Sequence, residues 1–221
     1  MIEINVNEFD ALGFTIIESA IPEEIISEVR SIALNLKNKF GGGPKIGESK
    51  EFGVPAFWKG LDMASKYDQT LFDYYTSGMM KEIACKLLKS DEFYLFNDQI
   101  VVKNPNEDFE FTPHSDNQYG PNNELAKEGK FKTITCCWVL DDFTSENGAI
   151  QFISKRNERI TPLPKAGSII VWDGNTVHLS GNNNSEATRS VWLLIYSDVD
   201  IGKVPTSGTY FNRFYNDKIV V

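Results

Sequence analysis

The sequence holds only two histidines, His114 and His178, and three cysteines in 221 residues. Cys136 and Cys137 are adjacent in an apolar run, and Cys85 falls in a helical pattern. An odd count with a neighbouring pair is no disulfide framework, and without any Cys-x-x-Cys there is no signal for structural zinc. Such thiols suit a reducing compartment, so a cytoplasmic location is expected. No stretch approaches the roughly 18 uninterrupted apolar residues of a membrane span. Residues 1–10 carry three acids and no base, unlike the opening of a signal peptide. Basic blocks are also missing: 22 Lys and Arg stand against 31 Asp and Glu, a net charge of -9. That field repels a phosphate backbone or an anionic bilayer, so neither nucleic acid nor membrane is expected as a partner. A small-molecule substrate is expected instead. Internal repeats and low-complexity segments are absent.

What is present is enough apolar surface to close a core, with 41% hydrophobic and 12% aromatic residues. The length suits one domain spanning residues 1–221. Ile25, Val29, Ile32, Leu36 and Phe40 recur at helical spacing after Pro22, Glu23 and Glu24, and the run from Gly41 to Pro44 ends that helix. An irregular loop is expected over residues 42–61. Helical spacing returns over residues 69–89. The helical part thus covers about 20–90. The period then changes. Residues 92–103, 109–116, 132–140, 149–154, 158–162, 168–172 and 188–198 are rich in Val, Ile, Thr, Phe and Trp and are separated by turn clusters. Consecutive short strands without intervening helices argue an antiparallel sandwich or barrel over about 91–198.

The histidines frame the chemistry. A strand turns alternate side chains to opposite faces, so in Pro113-His114-Ser115-Asp116 the imidazole and the carboxylate project together. His178, at the end of the run 169–177, arrives as a third ligand. Two imidazoles and a carboxylate on one face form the facial triad of non-heme Fe(II) oxygenases, with further positions open for co-substrate and dioxygen. A polar turn at a strand end would look the same in sequence. Arg189 lies eleven residues beyond His178, and a hairpin across residues 181–187 would return it alongside. It either pairs with an acid at the sheet edge or grips the distal carboxylate of a dicarboxylic co-substrate through two charge-assisted hydrogen bonds.

The runs from Leu95 to Gln99, Thr112 to Asp116, Trp138 to Asp142, Glu146 to Ile150 and His178 to Asn182, together with Arg189, resemble the phytanoyl-CoA dioxygenase family of 2-oxoglutarate and Fe(II) dependent oxygenases. The resemblance is good over residues 95–196 and faint before them. It implies a mainly β fold, a double-stranded β-helix (jelly-roll, cupin-like) core with N-terminal helices packed on it. It implies that His114, Asp116 and His178 bind Fe(II), and that Arg189 with the Ser180 hydroxyl holds the far carboxylate of 2-oxoglutarate. Asn97 and Gln99 share a strand face that looks into the family's pocket, and Gln99 is a candidate contact for 2-oxoglutarate or substrate. Thr135 is a further candidate. Each of these three also reads as an inward polar residue satisfied by backbone.

The implied reaction consumes O2 and 2-oxoglutarate, releases succinate and CO2, and oxidises a C–H bond of a small metabolite. Desaturation, cyclisation and epimerisation share that chemistry. Halogenating relatives replace the carboxylate ligand with a small residue, so Asp116 favours a hydroxylase-like outcome. Two departures from the family pattern concern the rim. Ser154-Lys155-Arg156-Asn157 stands where the family has a Pro-Gly-Ser-His turn, and Pro113 abuts His114 without the usual intervening aromatic. The short chain suggests trimmed loops and a small substrate. Trp58, Lys59, Tyr119, Arg156 and Trp172 fall near segments expected to rim the pocket. Other classes fit the pattern less closely: a cupin-like metal-binding isomerase or binding protein, whose sites employ more histidines, and a nucleic-acid or protein demethylase, which the charge disfavours. Oligomeric state is not readable from the sequence.

Overall fold

Strand alternation builds the molecule around two antiparallel sheets. The computed structural model describes residues 2–40, 60–62, 64–118 and 128–199. Its strands are β1 (Phe14–Ile17), β2 (Gly60–Asp62), β3 (Tyr94–Lys103), β4 (Phe111–His114), β5 (Thr133–Val139), β6 (Ile150–Ile153), β7 (Arg159–Ile160), β8 (Ile169–Asp173), β9 (Val177–Ser180) and β10 (Arg189–Ser197). The larger sheet runs β1-β8-β5-β10-β3-β2 and the smaller β4-β9-β6-β7. This is the jelly-roll core that the resemblance implies.

The helices are α1 (Val6–Leu12), α2 (Glu23–Phe40), α3 (Gln69–Tyr75) and α4 (Gly78–Leu88). In α2, acids Glu23 and Glu24 open the first turn and Lys37 and Lys39 close the last, each complementing the helix dipole. Ile26, Val29, Ala33 and Leu36 form its buried stripe. These residues join Leu71, Tyr75, Met80, Ile83 and Leu87 against Ile134, Cys136, Trp138, Trp192, Leu194 and Tyr196 of the larger sheet. Each fully buried large side chain there contributes about 1.5–3 kcal/mol. Two large polar side chains in this layer are paired: the Trp192 indole donates to Asp98 at 2.8 Å, and the Tyr196 hydroxyl to the Tyr75 carbonyl at 2.8 Å. The other face of the same strands carries Val101, Cys137, Val139, Ile170, Trp172 and Val191, packed on Phe14 and Phe152.

Several elements differ from expectation. The helix expected over residues 69–89 is two helices. Ser77 leaves the helical conformation and its hydroxyl caps α4 by accepting from the Met80 amide, while Asp68 caps α3 through the amides of Thr70 and Leu71. Helix α1 and strand β1 were not anticipated. Only Phe9 of α1 is buried, so its apolar period is faint, and the helix is held by an Asn5 cap and by Gly13 at φ 89. Strand β1 is four residues long and takes its place by pairing along β8. The expected loop over residues 42–61 ends in β2, which pairs with β3; residues 42–59 lie outside the described residues.

The largest difference concerns β8 and β9. The chain does not run straight to His178 but leaves the larger sheet at Asp173 and enters the smaller at Val177. Gly174 makes that turn feasible, since a Cβ there would overlap the side chains of Thr133 and Asn117. Consequently β9 and β10 are not a hairpin pair. Arg189 is on β10, between β3 and β5, and reaches the β9 region across the space between the sheets.

Candidate metal centre and dicarboxylate pocket

His114 ends β4 and is the direct cross-strand partner of His178 on β9. Directly paired residues share a face, and the two rings stand 4.3 Å apart between centroids at 53°. Between Phe111 and His114 the register slips. Pro113, which has no N–H to give the ladder, sits in that irregularity. Asp116 is not on the strand, as the alternation argument expects, but opens a single 3-10 turn, Asp116–Gln118. That turn still brings it round. One ligand atom from each of His114, Asp116 and His178 lies within 4.8 Å of the others, a group able to hold a metal ion.

The protonation of the site suits ligation. Nδ1 of His114 faces the Thr112 carbonyl at 2.7 Å, and Nδ1 of His178 faces the Thr176 carbonyl at 3.1 Å. A carbonyl only accepts, so Nδ1 carries a proton in each ring, which makes Nε2 the nitrogen suited to a metal. Burial lowers the His178 pKa, partly opposed by the Asp116 charge, so this ring is neutral at physiological pH. Its Nε2 is 3.7 Å from Asp116 Oδ1. The other carboxylate oxygen, Oδ2, accepts from the Thr135 hydroxyl at 2.6 Å and from the Trp172 indole at 2.9 Å. The next residue, Asn117, is stitched to both sides of the site: its amide donates to the Gly174 carbonyl at 3.0 Å and its side chain accepts from Thr133 at 2.9 Å.

Arg189 is 1% exposed. Its Nη2 donates to the Gly148 carbonyl at 2.5 Å and to Ser180 Oγ at 2.9 Å, and its Nε to the Asn147 carbonyl at 3.4 Å. These are neutral acceptors. Nη1 makes no hydrogen bond among the described residues, so the guanidinium is buried with two N–H groups uncommitted. Burial pulls its pKa down to about 10, against the opposing influence of Cys137 and Asp141, and it remains charged. The alternative of a sheet-edge acid as its partner is not what the structure shows. Ser180 Oγ, 5% exposed, donates in turn to the Gly148 carbonyl at 2.8 Å.

Sequence reading missed Lys103. It is the register partner of Arg189 across β3 and β10, is fully buried, and its Nζ bonds Ser180 Oγ at 2.7 Å and the Phe109 carbonyl at 3.1 Å. The signal was there: Lys103 has the parity of Asn97 and Gln99 and closes an apolar strand that has no reason to face a lysine to solvent. Gln99 is half-buried beside Leu193 in the register, and its amide makes no hydrogen bond among the described residues. Asn97 is buried on the same strand face. Thr135 rather than Cys136 faces the site, since Cys136 packs in the helix-side core. Of the rim candidates, Trp172 is fully buried against Asp116, Arg156 is exposed on the β6–β7 turn, and Trp58, Lys59 and Tyr119 lie outside the described residues.

A jelly roll that presents two imidazoles and one carboxylate at the mouth of its smaller sheet defines the cupin-like class to which non-heme oxygenases belong. The sequence matches the family model for phytanoyl-CoA dioxygenase (PhyH) over residues 9–159, and the chain belongs to that family. The matched span includes His114 and Asp116 and stops before His178 and Arg189. None of the curated protein sequences matches the chain. Solved structures of similar fold include the non-heme alpha ketoglutarate dependent carbocyclase SnoK from nogalamycin biosynthesis, at 17% identity and TM-score 0.73, covering 88% of this chain and 83% of that one. The epimerase SnoN, solved with Fe3+, alpha ketoglutarate and nogalamycin RO, is 17% identical at TM-score 0.70 over 87% and 82% of the two chains. EctD from S. alaskensis, solved with 2-oxoglutarate and 5-hydroxyectoine, is 16% identical at TM-score 0.68 over 86% and 74%.

Proposed function

We propose that the protein is a non-heme Fe(II)- and 2-oxoglutarate-dependent dioxygenase that hydroxylates a small-molecule metabolite. The observation that carries this reading is the pairing of two features across one inter-sheet space: a His114, Asp116 and His178 cluster, and a buried guanidinium whose described partners are all neutral. The donor set fits Fe(II), because neutral imidazoles and a carboxylate suit it and none of the three is a thiolate. The guanidinium fits a dicarboxylate, since a buried cation with unused N–H groups gains most from an anion.

His114, Asp116 and His178 hold the ion, while Arg189 and Ser180 orient 2-oxoglutarate through its far carboxylate, with Lys103 bonded to the same hydroxyl. Iron with 2-oxoglutarate supplies dioxygen-driven oxidation of a C–H bond, with succinate and CO2 released. Gln99, with its amide uncommitted on the pocket face, is placed in this reading as a contact to co-substrate or substrate. Asp116 keeps the carboxylate that a halide would have to replace, which supports hydroxylation; ring closure and epimerisation, named for SnoK and SnoN, remain outcomes of the same machinery. The free thiols Cys85, Cys136 and Cys137 support a cytoplasmic location. No helix among the described residues is long and apolar enough to cross a membrane.

Succinate release tests this reading, measured with Fe(II), 2-oxoglutarate and air across small acids, amino acids and related metabolites. Turnover is expected with at least one of them and is expected to vanish in Asp116→Ala and in His178→Ala. Undiminished succinate in either variant removes that residue from the ligand set.

A further inference from the structure

Asp116 is held by more than its own turn. Its Oδ2 takes two strong donors from two different strands, Thr135 Oγ1 from β5 at 2.6 Å and Trp172 Nε1 from β8 at 2.9 Å. Both donors are fully buried, and β5 and β8 are adjacent strands that pair Thr135 directly with Trp172. The two groups therefore form one rigid rung of the larger sheet facing Asp116, which itself belongs to a short turn outside that sheet. The remaining oxygen, Oδ1, is the one that faces His178 Nε2. The indole is wedged behind the site, its ring 5.0 Å from that of His178 and 5.5 Å from Phe152.

We infer that Thr135 and Trp172 are positioning residues that clamp Asp116 through Oδ2 and thereby aim Oδ1, alone, at the metal. The inference rests on the metal site proposed above and adds to it the origin of its preorganisation. A carboxylate at the end of a mobile side chain can rotate and can offer either oxygen or both. With Oδ2 saturated by a hydroxyl and an indole N–H, rotation costs two charge-assisted bonds, so one oxygen is presented before any metal arrives. Trp172 supplies a donor only and Thr135 a donor in this geometry; neither competes for the ion. Partners of this kind, one layer behind a ligand, typically govern metal affinity 10- to 100-fold. The clamp also ties the ligand on the turn to the sheet that carries Arg189, so the metal and dicarboxylate subsites keep a fixed spacing.

The test measures Mn(II) affinity by the electron paramagnetic resonance signal of the free ion, which needs neither turnover nor tryptophan fluorescence. Thr135→Val and Trp172→Phe are each expected to weaken Mn(II) binding by roughly 10- to 100-fold. Thr135→Ser, which restores the hydroxyl, should bind nearly as the parent does. Because both donors act on one oxygen, the double variant should lose less than the product of the single losses. Thermal unfolding of the metal-free variants separates a folding defect from a site defect, and Thr135→Ser against Thr135→Val isolates the hydroxyl. Parental Mn(II) affinity in folded Thr135→Val and Trp172→Phe would overturn the clamp while leaving the metal site intact. Failure of the parent protein itself to bind Mn(II) would overturn the site, and the clamp with it.

Discussion

The two faces of the larger sheet are made by the same strands and serve opposite ends. On β5, Ile134, Cys136 and Trp138 pack beneath the helices, while Thr135 and Cys137 alternate with them toward the smaller sheet. On β10, Trp192, Leu194 and Tyr196 face the helices, and Arg189 and Val191 face the other way. The helix side is largely apolar: its buried carboxylate, Asp98, accepts from the Trp192 indole and the Ser65 hydroxyl, while the buried Ser190 hydroxyl has no hydrogen-bond partner among the described residues. The opposite side buries an arginine, a lysine and a histidine, with the half-buried Asp116 carboxylate beside the histidine. Apolar packing is thus concentrated on one face and the candidate binding groups on the other, and a period of two residues separates them. The cost of desolvating charge on the second face is met by apolar burial on the first.

The sharpest way to break this contrast is on the helix side. Trp192→Ala should destabilise the fold by about 3–5 kcal/mol, through a cavity and the loss of the indole bond to Asp98. Urea unfolding measures it, and metal affinity of the protein that remains folded should be unchanged. A comparable loss of metal affinity would show that the faces are coupled. On the site side the pattern should invert. Arg189→Leu should weaken 2-oxoglutarate binding by about 1.5–3 kcal/mol, roughly 10- to 150-fold, the worth of charge-assisted bonds to a carboxylate. Calorimetric titration checks this, and the unfolding free energy should hold or rise because a desolvated cation has been removed. An unchanged affinity removes Arg189 from the dicarboxylate pocket.

The smallest effect concerns the loop after β5 that offers the Asn147 and Gly148 carbonyls to Arg189. Its Asp142 is held below its ordinary pKa of 3.8, first by the Lys165 ammonium and then by the Ala166 amide. A depressed folded-state pKa means a contribution present above that ordinary value and lost as the pH falls through the folded one. Asp142 is half-exposed, so Asp142→Asn should cost less than about 1 kcal/mol at neutral pH. Unfolding curves of the two proteins should converge in acid. A gap that persists there would assign the effect to something other than the charge.

Much of this division was legible in the sequence because alternation is a local property. Seven strand runs, the α2 stripe and the three candidate ligands follow from spacing and from the scarcity of histidine. What was not legible depends on long-range choices. The chain's exit from β8 into a second sheet rests on how Gly174 fits against Thr133 and Asn117, residues about 40 and 57 positions away in sequence. The bend that turns Asp116 inward depends on partners in β5 and β8 that no local pattern announces. Lys103 was overlooked because a lysine at a strand end ordinarily reaches water, although its parity with Asn97 and Gln99 was a signal; its pairing with Arg189 on β10 shows it enclosed. Strand β1 acquires its meaning from the β8 edge it covers.

The central claim is that one ferrous ion on His114, Asp116 and His178 and one dicarboxylate on Arg189 share a single space. Anaerobic addition of Fe(II) and 2-oxoglutarate to the protein tests it most directly, because chelation of the ion by the 2-oxo acid gives a weak visible charge-transfer band that neither component shows alone. The band is predicted to appear with the parent protein, to be absent with His178→Ala, and to require more 2-oxoglutarate with Arg189→Leu. A featureless spectrum from protein that binds both components, or an identical titration in all three proteins, would contradict the account.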